Sequence, residues 1–294
     1  MLNWKIYLLF AGDKMSREEN IEIFKDTEKL CKTNAVLLKA WKESSSKQKL
    51  ILEDEEIICK KDIYENPAKI VVSKKRTFEA AIGYADKKVA VLNFASASNP
   101  GGGVVNGSSA QEECLCRCST LYANLTEEAM WKKFYLPHRH AANPIHNDDL
   151  IYTPDVVIFK SDTAYPTLMP EKRWKKVNVI TCAAPNLRER PSNSYNSGDG
   201  NKAIKISDTQ LEQIHIKRGR KILETAAADK NEIVILGAFG CGAFMNKSDT
   251  VAGAYKQLIG EFKNAFEIIE FAVYCSPRDD SNFRIFEQIL CSTK

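Results

Sequence analysis

The sequence predicts an α/β fold built on a mostly parallel sheet, and three observations support this class. The 294 residues are 44% hydrophobic, which is enough for a sizeable core and too much for a disordered chain. Short, near-continuous apolar runs recur along the chain, as expected of strands covered on both faces. Helical patterns separate several of these runs, and strands that alternate with helices indicate parallel pairs.

The first part of the chain, residues 1–85, is predicted to be a mainly helical extension. Its opening segment, 1–12, is apolar but lacks the basic start and cleavage site of a signal peptide. It therefore predicts a packed N-terminal segment or a start-site extension. A helix is predicted over 16–42, where Ser16 and Glu19 form a capping-box signature. The other elements predicted in this part are a strand over 69–73 and a helix over 75–85.

The second part, residues 86–294, is predicted to be a compact α/β domain. Its polar segment 186–202 contains Pro, Gly and Ser and predicts a long surface loop. The predicted strands cover 89–95, 155–159, 177–184, 232–239 and 268–274. The predicted helices cover 109–125, 207–229 and 248–265.

Charge and cysteine content exclude several classes of protein. Lys and Arg number 42 against 38 Asp and Glu, so direct nucleic-acid binding is not expected. No apolar run is long enough for a membrane-spanning helix. Nine cysteines, an odd number, indicate free thiols in a reducing compartment, so an intracellular, cytoplasmic location is expected. Cys114, Cys116 and Cys118 lack a second ligand pair, and small helical residues are favoured over a zinc site.

Two glycine-rich segments follow predicted strands. The first glycine loop, residues 101–103, lies beyond strand 89–95, and the second glycine loop, residues 240–242, lies beyond strand 232–239. Carboxyl ends of parallel strands share one edge of a sheet, where exposed backbone N–H groups bind phosphate well. Neither segment has Walker or Rossmann spacing. The glycines alone leave phosphate binding and ordinary tight turns equally open.

Two adjacent acids, Glu112 and Glu113, lie at the predicted start of helix 109–125 and are called the acid pair below. One interpretation is local, with Ser109 and Glu112 forming a capping box. Adjacent helical residues point about 100° apart, so the two carboxylates cannot flank one scissile bond as a glycosidase pair does. They would need separate tasks, with one holding sugar hydroxyls and the other transferring a proton. The like charge next door raises a carboxyl pKa, whereas the helix N-terminus lowers it.

Two neighbouring features are better explained by structural roles than by functional ones. The histidine-rich segment 138–146 predicts a solvated loop rather than a functional site. Arg117 lies one helical turn after Glu113, a spacing that favours an ion pair that orients the helix.

The segment "GGGVVNGSSAQEE" resembles the GGG-x(6–8)-QEE signature of poly(ADP-ribose) glycohydrolases. "NFASASNPGGG", "QEECLCRCSTLY", "ITCAAPNL", "LGAFGCGAFMN" and "VAGAYKQLI" resemble the bacterial form of that family. The resemblance implies a macrodomain-like three-layer fold with a central mixed, mostly parallel sheet. It also implies an enzyme that cleaves ribose–ribose bonds and releases ADP-ribose, with no cofactor or metal. Ser96 departs from the family pattern, where Asn is usual, and no counterpart of the adenine-clamping tyrosine of animal enzymes is found.

The resemblance also assigns roles by position. Glu113 matches the catalytic acid and Glu112 the residue that holds hydroxyls of the terminal ribose. Gln111 would support the loop, and Phe244 would pack on the terminal ribose. The other substrate-contacting positions implied are Gly101, Gly102, Gly103, Asn106, Gly240, Cys241, Gly242 and Ala243. The expected partners are poly(ADP-ribose) or ADP-ribosylated proteins. A non-catalytic ADP-ribose reader and a mono-ADP-ribosyl hydrolase stay open as alternatives.

Overall fold

The computed structural model describes residues 15–84, 86–194, 197–276 and 278–291, and the opening segment 1–12 lies outside them. Within the described residues a seven-stranded sheet has the order β1-β4-β5-β3-β6-β7-β2. The strands are β1 (Lys49–Ile51), β2 (Lys69–Ser73), β3 (Val89–Phe94), β4 (Leu150–Ile158), β5 (Lys175–Cys182), β6 (Ile233–Leu236) and β7 (Ile268–Ala272). The sheet is mixed and mostly parallel, as predicted, because β5, β3, β6, β7 and β2 pair in parallel while β4 runs antiparallel to β5 and β1.

Helices cover both faces of the sheet and complete a three-layer fold. Along β3, Ala90 and Leu92 join the core on one face, whereas Val89 and Val91 join the core on the other. This alternation follows from the period-two geometry of a strand. The helices are α1 (Arg17–Thr33), α2 (Ala35–Lys47), α3 (Thr77–Ile82), α4 (Gln111–Cys118), α5 (Leu121–Leu125), α6 (Glu128–Met130), α7 (Leu136–Ala141), α8 (Asp208–Ala228), α9 (Ser248–Glu261) and α10 (Ser281–Cys291). None of the described helices has the length and apolar character needed to cross a membrane.

The prediction of one continuous helix over 16–42 is wrong, because the helix is interrupted at Asn34. The Asn34 carboxamide oxygen accepts hydrogen bonds from the N–H groups of Val36 and Leu37, at 3.0 and 3.1 Å, and so caps α2. Asparagine favours this position because its short side chain satisfies otherwise unpaired helical N–H groups. The capping box of Ser16 and Glu19 at the start of α1 is confirmed.

Residues before position 85 contribute more than helices. Both edge strands of the sheet, β1 and β2, come from this part of the chain, and β2 pairs in parallel with β7. The boundary predicted near residue 85 therefore does not separate two structural units of the sheet, because strands from both sides of it belong to the same sheet. As a division between independently folding domains it stays a prediction.

Several element bounds differ from the predicted ones. The helix predicted over 109–125 is interrupted by extended backbone at Ser119, which separates α4 from α5. The short β1, the first half of β4, the helical segment around 128–141 and α10 were not predicted. The predicted loop over 186–202 holds no helix or strand among its described residues.

Candidate functional site

Helix α4 carries the acid pair, and its first residue fixes it to the sheet. The Gln111 side chain accepts a hydrogen bond from the Phe94 N–H at 2.9 Å and donates to the Leu92 carbonyl at 2.8 Å. It also donates to the Thr77 hydroxyl at 3.0 Å. Gln111 thereby ties the start of α4 to the carboxyl end of β3. The residue predicted to support the glycine loop thus has contacts to β3 and α3.

The capping box predicted for Ser109 and Glu112 is wrong. The helix is capped by Ala110, which makes no side-chain capping bond. Glu112 instead turns toward β3, where its Oε1 accepts from Asn93 Nδ2 at 3.1 Å and its Oε2 accepts from the Ser96 N–H at 2.8 Å. Its side chain is buried, and this burial raises the pKa of Glu112 to about 8, with the negative charge of Glu113 acting in the same direction.

One oxygen of the Glu113 carboxyl group is hydrogen-bonded, and the other has no partner among the described residues. Its Oε1 accepts from the Gly103 N–H at 2.9 Å, whereas its buried Oε2 has no hydrogen-bond partner among the described residues. Burial raises the pKa of Glu113, although the Gly103 N–H and the charge of Arg117 oppose the rise. A buried carboxyl oxygen without a partner costs folding free energy, so its retention at this position calls for an explanation.

The first glycine loop lies directly against the acid pair. Gly101 and Gly102 have positive φ of 68° and 58°, a conformation that favours glycine. A Cβ atom on Gly102 would lie 2.6 Å from Glu113 Oε1 and 3.1 Å from Glu112 Oε2. A Cβ on Gly101 would lie 2.7 Å from the ring of Tyr122. The backbone can approach the carboxyl groups this closely only because no side chain intervenes.

Arg117 stabilises the segment that leads from the first glycine loop to α4. Arg117 is 2% exposed, and its guanidinium donates to the Ser108 carbonyl at 2.6 Å. Its main-chain carbonyl accepts from the Thr27 hydroxyl of α1 at 2.6 Å. The expected ion pair with Glu113 is not among the salt bridges of the described residues, although the Arg117 charge acts on Glu113. From α1, Asn20 donates to the Gly107 carbonyl at 3.2 Å. The N-terminal helix therefore packs directly on the loop that faces the acids.

The second glycine loop follows β6, the neighbour of β3 in the sheet. The rings of Phe94 and Phe239, with centroids 5.5 Å apart, pack together where these two strands end. Gly240 has a φ of 80°, and Asn246 fixes the loop by donating to the Pro185 carbonyl at 2.7 Å. Burial raises the pKa of Cys241 to about 12, so its thiol stays protonated at neutral pH. This excludes the reactive thiolate that a glycine loop can create.

The predicted substrate-contacting positions occupy both loops, but their contacts with a ligand stay predictions. Gly242 and Ala243 are exposed, Phe244 is half-buried with its ring 6.4 Å from that of His146, and Asn106 is exposed at the end of a 3₁₀ turn, Val104–Asn106. Both loops lie at the carboxyl edge of the parallel strands, as predicted.

Ser96 and the long loop complete the surroundings of the acid pair. The Ser96 hydroxyl accepts from the N–H groups of Ser98 and Asn99, so this departure from the family pattern still forms a closed turn. The Ser98 hydroxyl donates to buried Asp199 at 2.6 Å. The segment predicted to be a surface loop is thus anchored, at Asp199, beside the chain that leads into the first glycine loop.

Sequence reasoning missed Asn93 and misjudged two histidines. Asn93 is the polar residue in the otherwise apolar β3, a signal that was available but not used. His138 is buried on α7 and bonds with the Phe134 carbonyl and Asn147 Oδ1, both at 2.7 Å, and His146 is buried as well. The solvated-loop prediction is therefore wrong for these two residues. No group of three or more potential metal ligands was found in the described parts of the chain.

Fold and site together define a macrodomain-like α/β protein with two glycine loops at the carboxyl edge of the sheet, the first of which lies against two buried acids. The family model described as "Microbial-type PARG, catalytic domain", where PARG stands for poly(ADP-ribose) glycohydrolase, matches residues 15–161. The chain belongs to this microbial-type poly(ADP-ribose) glycohydrolase family. A comparison with curated proteins returned no match.

Solved structures of bacterial members are similar over most of the chain. Poly(ADP-ribose) glycohydrolase from Thermomonospora curvata is 26% identical over 92% of this chain and 99% of that one, with a TM-score of 0.77. The same enzyme bound to the inhibitor ADP-HPD gives 27% identity over the same shares, with a TM-score of 0.75. The enzyme from Deinococcus radiodurans in complex with ADP-ribose is 30% identical over 85% of this chain and 96% of that one, with a TM-score of 0.71.

Proposed function

We propose that this protein hydrolyses the ribose–ribose O-glycosidic bonds of poly(ADP-ribose) and releases ADP-ribose, with Glu113 as the general acid. The observation that carries the proposal is the state of the Glu113 carboxyl group. One oxygen is held by the Gly103 N–H, and the other is buried without a partner among the described residues. Because burial raises its pKa, this carboxyl can keep a proton for a leaving oxygen.

The chemical step follows from these positions. As the bond from the anomeric carbon to the leaving ribose oxygen breaks, Glu113 transfers its proton to that oxygen, and an oxocarbenium-like centre develops on the terminal ribose. Water then attacks the anomeric carbon and returns a proton to the Glu113 carboxylate. Glu112 accepts hydrogen bonds from Asn93 and Ser96. The proton that its raised pKa retains, and its remaining lone pairs, can bond with hydroxyls of the same ribose.

The two glycine loops support the binding part of the proposal. The backbone of residues 101–103 would lie against the ribose and diphosphate, and Phe244 and Asn106 would contact ribose. The N–H groups of Gly102, Gly103 and Cys241 already bond within the protein, so those of Gly240, Gly242 and Ala243 would receive the diphosphate. The expected substrates are poly(ADP-ribose) or ADP-ribosylated proteins. A cytoplasmic location belongs to the proposal and is supported by nine free cysteines, which suit a reducing compartment.

The test is hydrolysis of labelled poly(ADP-ribose) by the unmodified protein and by Glu113→Gln. We expect the variant to lose about 10²–10⁴-fold in rate, the usual contribution of a positioned general acid, while its affinity for ADP-ribose changes little. Glu43→Gln, at a half-exposed glutamate of α2, is the matched control and should keep full activity. Binding without release by the unmodified protein would instead indicate a reader. Release only from mono-modified substrates would indicate a mono-ADP-ribosyl hydrolase.

A further inference from the structure

Asn93 is the polar residue of β3, a strand whose other side chains are apolar. It is 0% exposed, and it lies two residues after Val91, which joins the same core cluster as Leu115 of α4. Because side chains alternate along a strand, Asn93 also points toward α4. A buried amide lowers the free energy of unfolding unless its polar atoms find partners, so its hydrogen bonds decide what it contributes.

The Asn93 amide uses its N–H groups but not its oxygen. Nδ2 donates to Glu112 Oε1 at 3.1 Å and to the Thr181 hydroxyl at 3.2 Å. Oδ1 is buried and has no hydrogen-bond partner among the residues that the structure describes. Asn93 therefore acts on the acid pair as a hydrogen-bond donor, and this contact is kept although one polar atom stays unpaired.

Thr181 limits the rotation of this amide. Asn93 and Thr181 are direct neighbours in the parallel register of β3 and β5, and Thr181 is also 0% exposed. The terminal torsion of an asparagine side chain is otherwise broad. Since one N–H is bonded to the Thr181 hydroxyl, the amide cannot rotate without losing that bond. The second N–H is thereby kept toward Glu112.

The bond from Asn93 is not needed to hold α4 on the sheet. Gln111, one residue before Glu112, already makes three hydrogen bonds to β3 and α3. Those bonds fix the start of the helix but leave the Glu112 carboxyl group free to rotate. Asn93 at Oε1 and the Ser96 N–H at Oε2 hold this carboxyl at both oxygens. The contact with Asn93 thus concerns the orientation of one side chain.

We propose that Asn93, supported by Thr181, is a positioning residue that fixes the Glu112 carboxyl group in the orientation that binds the terminal ribose. The inference rests on the binding part of the proposed function, because it takes ADP-ribose as the ligand. It does not depend on the chemical step at Glu113. It gives a role in ligand binding to two strand residues that lie outside both glycine loops and the acid pair.

The experiment measures the binding of ADP-ribose and of ADP to Asn93→Leu by calorimetry, together with thermal unfolding of the free protein. Leucine has a similar shape but no N–H group, and ADP lacks the terminal ribose but keeps the diphosphate. We expect the Kd for ADP-ribose to rise about five- to tenfold, the worth of one hydrogen bond, while the Kd for ADP stays unchanged. The Tm should change little, because the substitution removes an unpaired oxygen together with the donor.

Thr181→Val is a second variant that acts on the same amide without touching Glu112. It removes the hydroxyl that limits the rotation of Asn93. We expect the Kd for ADP-ribose to rise about two- to threefold, again with no change for ADP. This variant tests the inference even if Asn93→Leu does not fold. Unchanged Kd values for Thr181→Val would overturn the supporting role of Thr181.

Asn178→Leu is the matched control, because Asn178 is a second buried amide, on the opposite face of β5 from Thr181. Its Nδ2 donates to Asn231 Oδ1 at 2.7 Å, and its Oδ1 accepts from the Asp155 N–H at 3.1 Å. This control should lower the Tm and leave both Kd values unchanged.

Two results for Asn93→Leu would overturn the inference. One is binding of ADP-ribose as tight as that of the unmodified protein. The other is a lower Tm with both ligands weakened together, which would make Asn93 a structural residue only. If the unmodified protein fails to bind ADP-ribose at all, the proposed function fails and the inference fails with it. Binding by the unmodified protein without hydrolysis of polymer would overturn the proposed function alone.

Discussion

The two glycine loops lie at the same edge of the sheet, yet their glycines meet different surroundings. In the first loop, a Cβ on Gly102 would collide with carboxyl oxygens of both Glu113 and Glu112. In the second loop, a Cβ on Gly240 would collide with Ala184 and Asn246, whereas a Cβ on Gly242 would meet none of the described residues within 4 Å. The first loop is therefore shaped around ionisable groups, and the second around its own turn and an open surface.

This difference separates two reasons for placing glycine near a ligand. Gly102 lets the main chain approach the acid pair, so in the proposed mechanism its role concerns the chemical step. Gly240 allows a left-handed turn, so its role concerns folding. Gly242 leaves space on the exposed side, so its role concerns access. Each of these assignments predicts a different effect for the same substitution.

Gly102→Ala should give the largest effect. The added methyl group would displace both carboxyl groups, and a displacement of about 1 Å near reacting atoms can cost about 10²-fold in rate. We expect a loss of this size in the hydrolysis of labelled polymer. Gly260→Ala, where a Cβ meets nothing within 4 Å on α9, is the control and should keep full activity. Normal activity of Gly102→Ala would contradict the proposed difference between the two loops, because the first loop would then not constrain the acid pair.

The second prediction concerns pH and the acid pair. The pKa of Glu112 is about 8 in the folded protein against an ordinary value of 4.5, so between these values the folded state keeps a proton that the unfolded chain releases. Stability contributed by this group is therefore full below about pH 4.5 and declines as the pH rises toward 8. Glu112→Gln removes this decline. Its free energy of unfolding, relative to the unmodified protein, should increase by about 3.5 kcal/mol from pH 5 to pH 8 in urea titrations.

A relative stability of Glu112→Gln that is the same at both pH values would contradict the raised pKa. The second loop supplies the contrast, because its Cys241 thiol stays neutral over this range. Cys241→Ser should therefore show no comparable change in relative stability between pH 5 and pH 8.

Gly240→Ala should affect folding rather than chemistry. Its φ of 80° and the Cβ distances of 2.7 Å to Ala184 Cβ and 2.8 Å to Asn246 Cγ predict strain and overpacking. We expect a loss of about 1–3 kcal/mol in the free energy of unfolding, measured by chemical denaturation. An unchanged stability would show that the second loop adapts to a side chain, which the first loop is not expected to do.

Gly242→Ala should give the smallest effect. Stability is expected to change by less than about 0.5 kcal/mol, because the new methyl group meets no neighbour. If the second loop receives the diphosphate, the Kd for ADP should rise a few-fold. A change in stability with unaltered ADP binding would reverse the assigned roles of Gly240 and Gly242.

Much of the fold could be predicted because the central strands are buried on both faces. β2 was predicted at its observed bounds, and the strand around 89–95 within one residue. The elements that were missed depend on partners distant in sequence. β1 has three residues and is stabilised by pairing with β4, and the break at Asn34 depends on one side chain that caps a new helix.

The residues that form the site could be predicted from the sequence, but their hydrogen-bond partners could not. Motif spacing brought the two glycine loops and the acid pair together correctly at one edge of the sheet. It could not show that Glu112 faces Asn93 instead of Ser109, because that choice is made by the packing of α4 on β3. It also could not show that one oxygen of Glu113 is bonded while the other lacks a partner among the described residues, since this depends on the path of the backbone at Gly103.

The most direct measurement is a crystal structure of Glu113→Gln with ADP-ribose bound. The proposed mechanism predicts that the carboxamide of the substituted side chain lies within hydrogen-bond reach, about 2.6–3.2 Å, of an oxygen on the anomeric carbon of the terminal ribose. It also predicts the backbone of the first glycine loop against the ribose and diphosphate. A terminal ribose bound on the far side of either loop, out of reach of position 113, would contradict the assignment of Glu113 as the general acid.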